Sequence, residues 1–332
     1  MRYACLLSLL FLTLVAWGFT PRAACWTAEG ITRLAVLEGG QLQLARVTPA
    51  GLEEQGTAPA PGITMLAAGA WNGAPVLLGS RGKDLLRYDA VRQAWSKIGS
   101  APATILQILP ARDGAPAALL LTGEADEPVP QRTAVWWANW EKKFACTRVT
   151  AIKDTYRPWQ LWWSAAGGEP RLAAATYKAT KFAPFEHNCM FLFAWKSGTA
   201  ESRWLGSRLT RPYVDATHAD LHGDGHWRLV AVEETRDGGR GLSVYQPIQF
   251  GYANEWRTET IPGLRHIAAY GHAVICWTEN GAAQLLPAAD GYALLPLPHF
   301  PPSPDLLALI GNNRLAGRWL GEWHVIQLLP YP

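Results

Sequence analysis

The sequence predicts an all-β protein that forms a single β-propeller of seven four-stranded blades, and three observations support this prediction. A hairpin pattern recurs along the chain, its copies are spaced like propeller blades, and no window keeps a helical apolar stripe for more than about two turns. The 24 prolines and 31 glycines are spread at turn-like spacing and mark no domain boundary. Six or eight blades stay open as alternatives.

The recurring unit is an apolar strand, a tight turn that contains glycine, and a second apolar strand. Two more strand-like runs follow most of these hairpins, which gives the four strands of one blade. The units begin roughly 40 to 55 residues apart, with two shorter intervals. Their first strands are expected to start near Ile31, Ile63, Ile105, Trp159, Val214, Ile267 and Leu306.

The last unit is one strand short before the chain reaches Pro332. We expect the stretch from Cys25 to Gly30 to supply the missing strand and to close the ring. Closure of this kind hides the strand edges that an open array of sheets would expose to solvent.

The composition supports a large core and argues against nucleic acid as a partner. Of 332 residues, 49% are hydrophobic and 17% are charged, which excludes disorder of the whole chain. Lys and Arg together number 30 against 27 Asp and Glu, and the sequence contains no basic run or stripe. We therefore expect a folded domain with no nucleic-acid partner.

The N-terminus is typical of an export leader. Arg2 precedes an almost unbroken apolar stretch from Ala4 to Phe19, which is short for a membrane span. Three outcomes are open: cleavage after Gly18, lipoprotein processing that leaves a lipid on Cys25, or an uncleaved anchor. Arg22 stands where a lipoprotein signal has an aliphatic residue, and this argues against the second outcome.

We accordingly predict a leader over residues 1–24 and a propeller domain over residues 25–332. The domain is expected to be exported to the periplasm or the cell surface, with membrane contact only through the leader or a lipid on Cys25. The sequence has no C-x-x-C pattern, so a zinc ribbon or thioredoxin-like site is unsupported. The widely spaced Cys146 and Cys189 could form a disulfide or stay buried free thiols.

One short segment, from Ala219 to Val230, has the composition of a cation-binding loop because acidic residues alternate with glycines. Calcium prefers six to eight oxygen ligands, and a tight loop with alternating acidic residues and glycines can wrap around it.

This segment resembles the FG-GAP/VCBS repeat of integrin-like β-propellers, most sharply over about a dozen residues and loosely over nearly the whole domain. In that family the loop reads Asp-x-Asn/Asp-Gly-Asp-Gly-x-x-Asp and holds calcium. The resemblance places Asp220 and Asp224 at the first and fifth positions as the candidate metal ligands. It places His222, a nitrogen donor, at the third position and the permanently charged Arg228 at the ninth, so any calcium site here is expected to be weak. The resemblance implies a propeller fold and calcium as the one candidate cofactor. The departures at His222 and Arg228 favour a metal-free turn, and zinc or copper on the alternating histidines is a further alternative.

Tryptophan is abundant, with 17 copies and two clusters, Trp136–Trp140 and Trp159–Trp163. Exposed tryptophans can stack on sugar rings or proline-rich peptides, but in propellers they more often wedge between blades, and we favour that structural role. Strand alternation predicts Trp159 and Trp163 on one face and Trp162 on the other.

The stretch from Tyr177 to Asn188 is the longest polar and aromatic connection between predicted strands. Loops on a rigid scaffold are where binding residues concentrate, although an ordinary inter-strand loop is an equal alternative. The lysines in it would suit an anionic ligand. The candidate binding residues are Tyr177, Lys178, Lys181, Phe182, His187 and Asn188.

Catalytic signatures are missing from the sequence, which has no G-x-S-x-G, H-E-x-x-H or G-x-x-x-x-G-K-[ST] motif. The sequence therefore predicts an exported, non-catalytic binding module that presents propeller loops to a protein or glycan at the cell envelope. A hydrolase or lyase acting on polysaccharide, and a structural part of an envelope complex, are the alternatives.

Overall fold

The computed structural model describes residues 21–28, 30–124, 132–166, 168–181, 184–196, 198–206, 209–298, 300–301, 304–311 and 313–329. Most of the predicted leader and most of the acidic, proline-bearing loop near residues 123–132 lie outside these ranges. The described residues form strands and two short 3₁₀ turns, Asp154–Tyr156 and Pro304–Leu306, with no α-helix among them. Accordingly, no helix in these ranges is long and apolar enough to cross a membrane.

The strands form seven antiparallel sheets, and within each sheet consecutive strands pair with one another. We number these sheets blades 1 to 7 in chain order. Blades 1 to 3 consist of β1 (Ala23–Ala28), β2 (Ile31–Glu38), β3 (Gln41–Thr48), β4 (Gly51–Pro59); β5 (Met65–Trp71), β6 (Ala74–Arg81), β7 (Asp84–Asp89), β8 (Ala94–Ser100); and β9 (Ile105–Pro110), β10 (Ala117–Thr122), β11 (Ala134–Asn139), β12 (Ala145–Arg148). Blades 4 and 5 consist of β13 (Pro158–Ala166), β14 (Glu169–Lys178), β15 (His187–Lys196), β16 (Thr199–Leu205); and β17 (Tyr213–Ala219), β18 (Arg228–Glu234), β19 (Arg240–Ile248), β20 (Gly251–Arg257). Blades 6 and 7 consist of β21 (His266–Tyr270), β22 (Ala273–Thr278), β23 (Gly281–Ala288), β24 (Gly291–Leu297); and β25 (Leu307–Leu309), β26 (Arg314–Trp319), β27 (Glu322–Gln327).

The prediction of an all-β propeller with seven blades is confirmed. Six of the seven predicted first strands begin within two residues of the observed ones. The exception is the first blade, because Ile31 starts its second strand and the first strand begins at Ala23.

The expectation that Cys25–Gly30 completes the last blade is wrong. Strand β1 pairs with β2 in blade 1, and the last sheet has three strands among the described residues. The ring instead closes where blade 7 packs against blade 1, around Ala23, Val36 and Ala316. No strand exchange is needed, because the apolar faces of the two sheets already cover each other.

The segment just before β1 ties three blades together. The Arg22 N–H donates to the carbonyl of Asp305 (2.8 Å), and the two side chains form an ion pair. The carbonyl of Pro21 accepts the N–H of Leu66 in blade 2 (2.8 Å). Residues 21–24 are therefore part of the folded ring.

Connections at one end of the ring, which we name the AB end, join the first strand to the second and the third to the fourth. The opposite BC end carries the turns between second and third strands and the links between blades. This alternation follows from the antiparallel order of each sheet. It places the predicted binding loop, residues 179–186, at the BC end and the Asp220–Trp227 loop at the AB end.

The core lies between adjacent blades rather than at the centre of one layer. Between blades 3 and 4 it contains Leu119, Leu121, Leu172 and Phe193, all essentially inaccessible to solvent. Apolar burial of this kind is the main stabilising contribution to the fold. Cys25, Cys146, Cys189 and Cys276 are free thiols. Cys189 is buried, as the second predicted alternative has it, whereas Cys146 is half-buried.

Candidate functional site

A cleft of about 760 Å³ opens at the AB end between blades 3 and 4. Its walls include Trp137 from β11, Trp163 from β13 and Trp195 from β15. The ring centroid of Trp195 lies 5.1 Å from that of Trp137 and 5.5 Å from that of Trp163, with interplanar angles of 59° and 67°. The three indoles form a continuous tilted aromatic wall above the core of this junction.

Backbone contacts fix two of these rings. The indole N–H of Trp163 donates to the carbonyl of Pro110 (2.7 Å), which joins blade 4 to blade 3. Trp137 lies against Gly198 so closely that a Cβ added there would be 2.8 Å from the indole nitrogen. The aromatic wall is thus preorganised, because each ring is held by the neighbouring blade as well as its own.

The rim of the cleft is polar and carries charges of both signs. Arg112, Asp113 and Lys196 are exposed there, and Asn139 is half-buried. The Asn139 amide oxygen accepts the N–H of Glu141 (2.9 Å), which leaves its NH₂ group as the part that can reach a ligand. These side chains supply both hydrogen-bond donors and acceptors around an apolar wall, an arrangement typical of small-ligand sites.

Arg112 is held in place from two directions. Its guanidinium donates to the carbonyl of Ser164 (3.4 Å) and lies 5.3 Å from the ring centroid of Trp227. Trp227 belongs to the Asp220–Trp227 loop of blade 5, and its N–H donates to the carbonyl of Ala165 (3.0 Å). The loop of blade 5 therefore supports one side of the cleft between blades 3 and 4.

The junction between blades 4 and 5 is filled at the AB end, where the junction between blades 3 and 4 is open. Trp204 of β16 packs on Gly251 and edge-on against Tyr252, with ring centroids 5.7 Å apart. The Tyr252 hydroxyl bonds Nε2 of the buried His218 (2.7 Å). Burial lowers the pKa of His218 to about 3, so this imidazole is neutral at ordinary pH.

The junction between blades 5 and 6 repeats this arrangement. Trp256 of β20 packs on Gly291, and its ring centroid lies 5.6 Å from that of Tyr292. The Tyr292 hydroxyl bonds Nε2 of His222 (2.8 Å). Each of these two junctions is filled by a tryptophan, a glycine, a tyrosine and a histidine.

Blade 4 lacks the tyrosine that fills the other two junctions. In blades 5 and 6 this tyrosine pairs across the last two strands with a proline: Tyr252 with Pro247, and Tyr292 with Pro287. The equivalent pair in blade 4 is Ala200 with Trp195. Ala200 packs on the core between blades 3 and 4, and its cross-strand partner Trp195 lines the cleft. The open junction thus has a small residue at the register position where the filled junctions have tyrosine.

Both candidate calcium ligands already have partners within the chain. The two carboxylate oxygens of Asp220 accept the N–H groups of Asp224 and Gly225, both at 3.0 Å. Both oxygens of Asp224 accept from one nitrogen of Arg228, at 2.7 and 2.8 Å. The positively charged guanidinium of Arg228 thus occupies the carboxylate oxygens of Asp224 that a metal ion would need as ligands.

The electrostatics of this loop agree with its geometry. Desolvation alone would raise the pKa of Asp224, but hydrogen bonds from Arg228 and from the His226 N–H outweigh it and lower the pKa to about 2. Glu255 lies 3.6 Å from Nε of Arg228. Within the described ranges, no three His, Cys, Asp or Glu side chains are grouped to hold a metal. Calcium at this loop stays a prediction.

The six candidate binding residues are split between the sheet of blade 4 and its loop. Tyr177 and Lys178 end β14, and they pair with Asn188 and His187 at the start of β15. Lys181 is exposed in the connecting loop, and Phe182 lies outside the described residues.

The members of this set that lie in strands make contacts within the chain. The Lys178 ammonium lies 4.7 Å from the Tyr156 ring centroid. His187 is buried, with Nδ1 2.7 Å from the carbonyl of Phe185, and the Asn188 amide donates to the carbonyl of Tyr213 (2.7 Å). These contacts leave Lys181 as the exposed lysine of the set, and the binding role of this loop stays a prediction.

A second cavity of about 550 Å³ lies at the BC end, again between blades 3 and 4. Arg132, Arg157 and Glu186 line it, and Arg157 forms an ion pair with Glu186. The charges of Arg157 and Glu186 therefore compensate each other, and we consider the AB-end cleft the stronger candidate site.

Sequence reasoning found the tryptophan clusters but assigned them a structural role, and it misplaced one ring. A β-bulge between Pro158 and Gln160 turns Trp159 toward blade 5, so it packs with Trp162 and not with Trp163. Trp195 was missed, although it occupies a position where the next two blades have proline.

Comparison with known proteins supports the fold and goes no further. No family model matches the chain, and no curated protein matches it. Among solved structures, the chain is similar to hydrazine synthase of Kuenenia stuttgartiensis, with a TM-score of 0.50 and 9% sequence identity over 80% of this chain and 84% of that one. At this identity the similarity shows only the shared propeller-like fold. The FG-GAP/VCBS resemblance has no family match behind it.

Proposed function

We propose that this chain is an exported, non-catalytic binding module, a propeller of degenerate FG-GAP/VCBS type that holds an envelope ligand between blades 3 and 4. The observation that carries the proposal is the open cleft walled by Trp137, Trp163 and Trp195. Its volume falls within the range of roughly 300–1,000 Å³ typical of ligand sites. The leader-like N-terminus supports export, and the Asp220 loop supports the family assignment.

The same cleft favours binding over hydrolysis. Enzymes that hydrolyse glycosidic bonds commonly need two carboxyl groups placed on either side of the scissile bond. Among the described residues that line the cleft, Asp113 is the only carboxylate, and it accepts the N–H of Ala115 (3.1 Å). The cleft thus offers recognition surface without the acid and base pair.

Sedimentation of the purified protein with envelope fragments of the source organism tests this proposal. We expect binding by the wild type and at least a tenfold loss in the Trp137→Ala/Trp195→Ala double variant. The matched control is Trp71→Ala, which removes a tryptophan near the AB end of blade 2 and leaves the cleft intact. Wild-type affinity in the double variant would show that the ligand binds elsewhere.

A further inference from the structure

We infer that the ligand of the cleft between blades 3 and 4 is a glycan, whose sugar rings stack on Trp195 and its neighbours; this inference rests on the proposed function. The shape of the cleft is the first observation that favours a glycan. Two indole planes flank Trp195 at steep angles, so the cleft offers flat apolar faces in a bent wall. The C–H faces of a pyranose ring are flat and apolar and match such surfaces.

The rim then selects for a ligand rich in hydroxyl groups. A sugar hydroxyl both donates and accepts hydrogen bonds, and it needs partners of both kinds. Arg112 and Lys196 donate, Asp113 accepts, and the NH₂ group of Asn139 donates. Four polar side chains around three indoles give more hydrogen-bonding capacity than an apolar partner would use.

Charge argues against a strongly anionic or cationic ligand. The rim carries two positive side chains, Arg112 and Lys196, and one negative side chain, Asp113, so its net charge is small. Arg112 is also engaged with Ser164 and Trp227, which fixes its position. A neutral or weakly acidic polysaccharide fits this balance.

A proline-rich peptide is the competing occupant, because such peptides also bind aromatic-lined grooves. Proline has no backbone N–H, so such a peptide offers carbonyl acceptors to Arg112 and Lys196 but few donors to Asp113. Desolvating unpartnered polar groups weakens binding. The polar rim therefore favours the glycan.

The test treats the envelope fragments chemically before sedimentation. Periodate, which cleaves sugar diols, is expected to reduce binding at least tenfold, whereas proteinase K is expected to leave it within twofold. Polysaccharide released from the fragments should compete with wild-type binding and should bind Trp195→Phe better than Trp195→Ala, because phenylalanine keeps an aromatic face.

The outcomes separate the two proposals. Binding that is destroyed by proteinase K, resists periodate and still depends on Trp195 would overturn the glycan and keep the binding module. Binding that does not depend on Trp137 or Trp195 would overturn the site itself. A periodate-sensitive interaction lost in Trp195→Ala, with the same melting temperature as the wild type, would support both proposals.

Discussion

The junction between blades 3 and 4 is open at the AB end, whereas the junction between blades 5 and 6 is filled. In the filled junction Trp256 of β20 lies on Gly291 and beside Tyr292, whose hydroxyl bonds His222. In the open junction the tryptophans come from β11, β13 and β15, and Ala200 occupies the register position of Tyr292. Tryptophan therefore has two roles in this ring: it fills one junction and forms the wall of a cleft in another.

The junction between blades 7 and 1 supplies a third case, because part of its contacts come from residues 21–24, at and just before the start of β1. We expect a chain that begins at Cys25 to lose on the order of 5 kcal/mol of stability relative to one that begins at Pro21, which is comparable with the whole stability of a domain. It loses the buried Ala23 and Ala24 and the contacts of Arg22 with Asp305. Thermal melts of the two chains measure the effect.

Equal melting temperatures for these chains would contradict the closure described above. The expected loss of stability also limits where a leader could be cleaved, because cleavage before Cys25 would remove a third of β1. If the chain is processed, we therefore expect intact-mass analysis of the protein isolated from its source to find an N-terminus at or before Pro21. A lipid-bearing Cys25 at the N-terminus would contradict this.

The filled junction between blades 4 and 5 should break when its glycine gains a side chain. Gly251 has φ of +97°, and an added Cβ would lie 2.6 Å from the Trp204 ring. We expect Gly251→Ala to cost about 3 kcal/mol, from backbone strain and the displaced ring together. Urea denaturation of each variant gives the comparison.

The matched control is Gly281→Ala, at φ of +103° with no heavy atom within 4 Å of the added Cβ. It carries the backbone strain without the clash, so a loss of about 1 kcal/mol is expected. Equal losses at the two positions would show that contact with Trp204 contributes nothing.

Acid should weaken the same junction through His218. The folded state lowers the pKa of this buried imidazole to about 3, whereas the unfolded chain takes up the proton near pH 6.5. Its contribution to stability is therefore complete above about pH 6.5 and declines as the pH falls toward 3. We expect a loss on the order of 2 kcal/mol by pH 4.5 in the wild type.

Denaturation at a series of pH values checks this expectation, with His218→Gln as the comparison. The variant has no imidazole to protonate, so its stability should decline less between pH 6.5 and 4.5. Parallel pH profiles for the two proteins would show that His218 does not control the acid sensitivity of this junction.

The Asp220 loop should gain calcium dependence when its two departures are reversed. The wild-type melting temperature is expected to be the same in EDTA and in millimolar calcium, because Arg228 already occupies both oxygens of Asp224. The His222→Asp/Arg228→Asp double variant restores the family pattern, and calcium should raise its melting temperature by about 2 to 5 °C. Thermal melts with and without calcium test both proteins.

A calcium-dependent rise in the wild type would contradict the role assigned to Arg228. It would show instead that Asp220 and Asp224 still hold an ion.

Much of the ring could be predicted from the sequence, because turns rich in glycine and proline recur between apolar strands at blade spacing. The first blade was misplaced for a local reason. The apolar stretch from Ala4 to Phe19 ends only a few residues before β1, so the sequence assigns Ala23 and Ala24 to a predicted leader and the first strand to Ile31. The bulge at Pro158 likewise reversed the predicted face of Trp159.

The cleft could not be predicted in the same way. It depends on Trp195 of blade 4 lying against Trp137 of blade 3, which is a contact between residues far apart in sequence. A sequence signal does exist in the repeat Pro-x-x-x-Gly-Tyr, which occurs at Pro247 and Pro287 and changes at Trp195. Its meaning becomes clear only when the strand register is known.

The most direct test of this account is the affinity of Ala200→Tyr for polysaccharide released from the envelope, measured by titration calorimetry beside the wild type. Ala200 lies across the strand pair from Trp195, so a tyrosine there should project beside the Trp195 ring and block the cleft. We predict at least a tenfold loss of affinity with a melting temperature equal to or above that of the wild type. Undiminished affinity in a folded Ala200→Tyr protein would contradict the assignment of the cleft between blades 3 and 4 as the binding site.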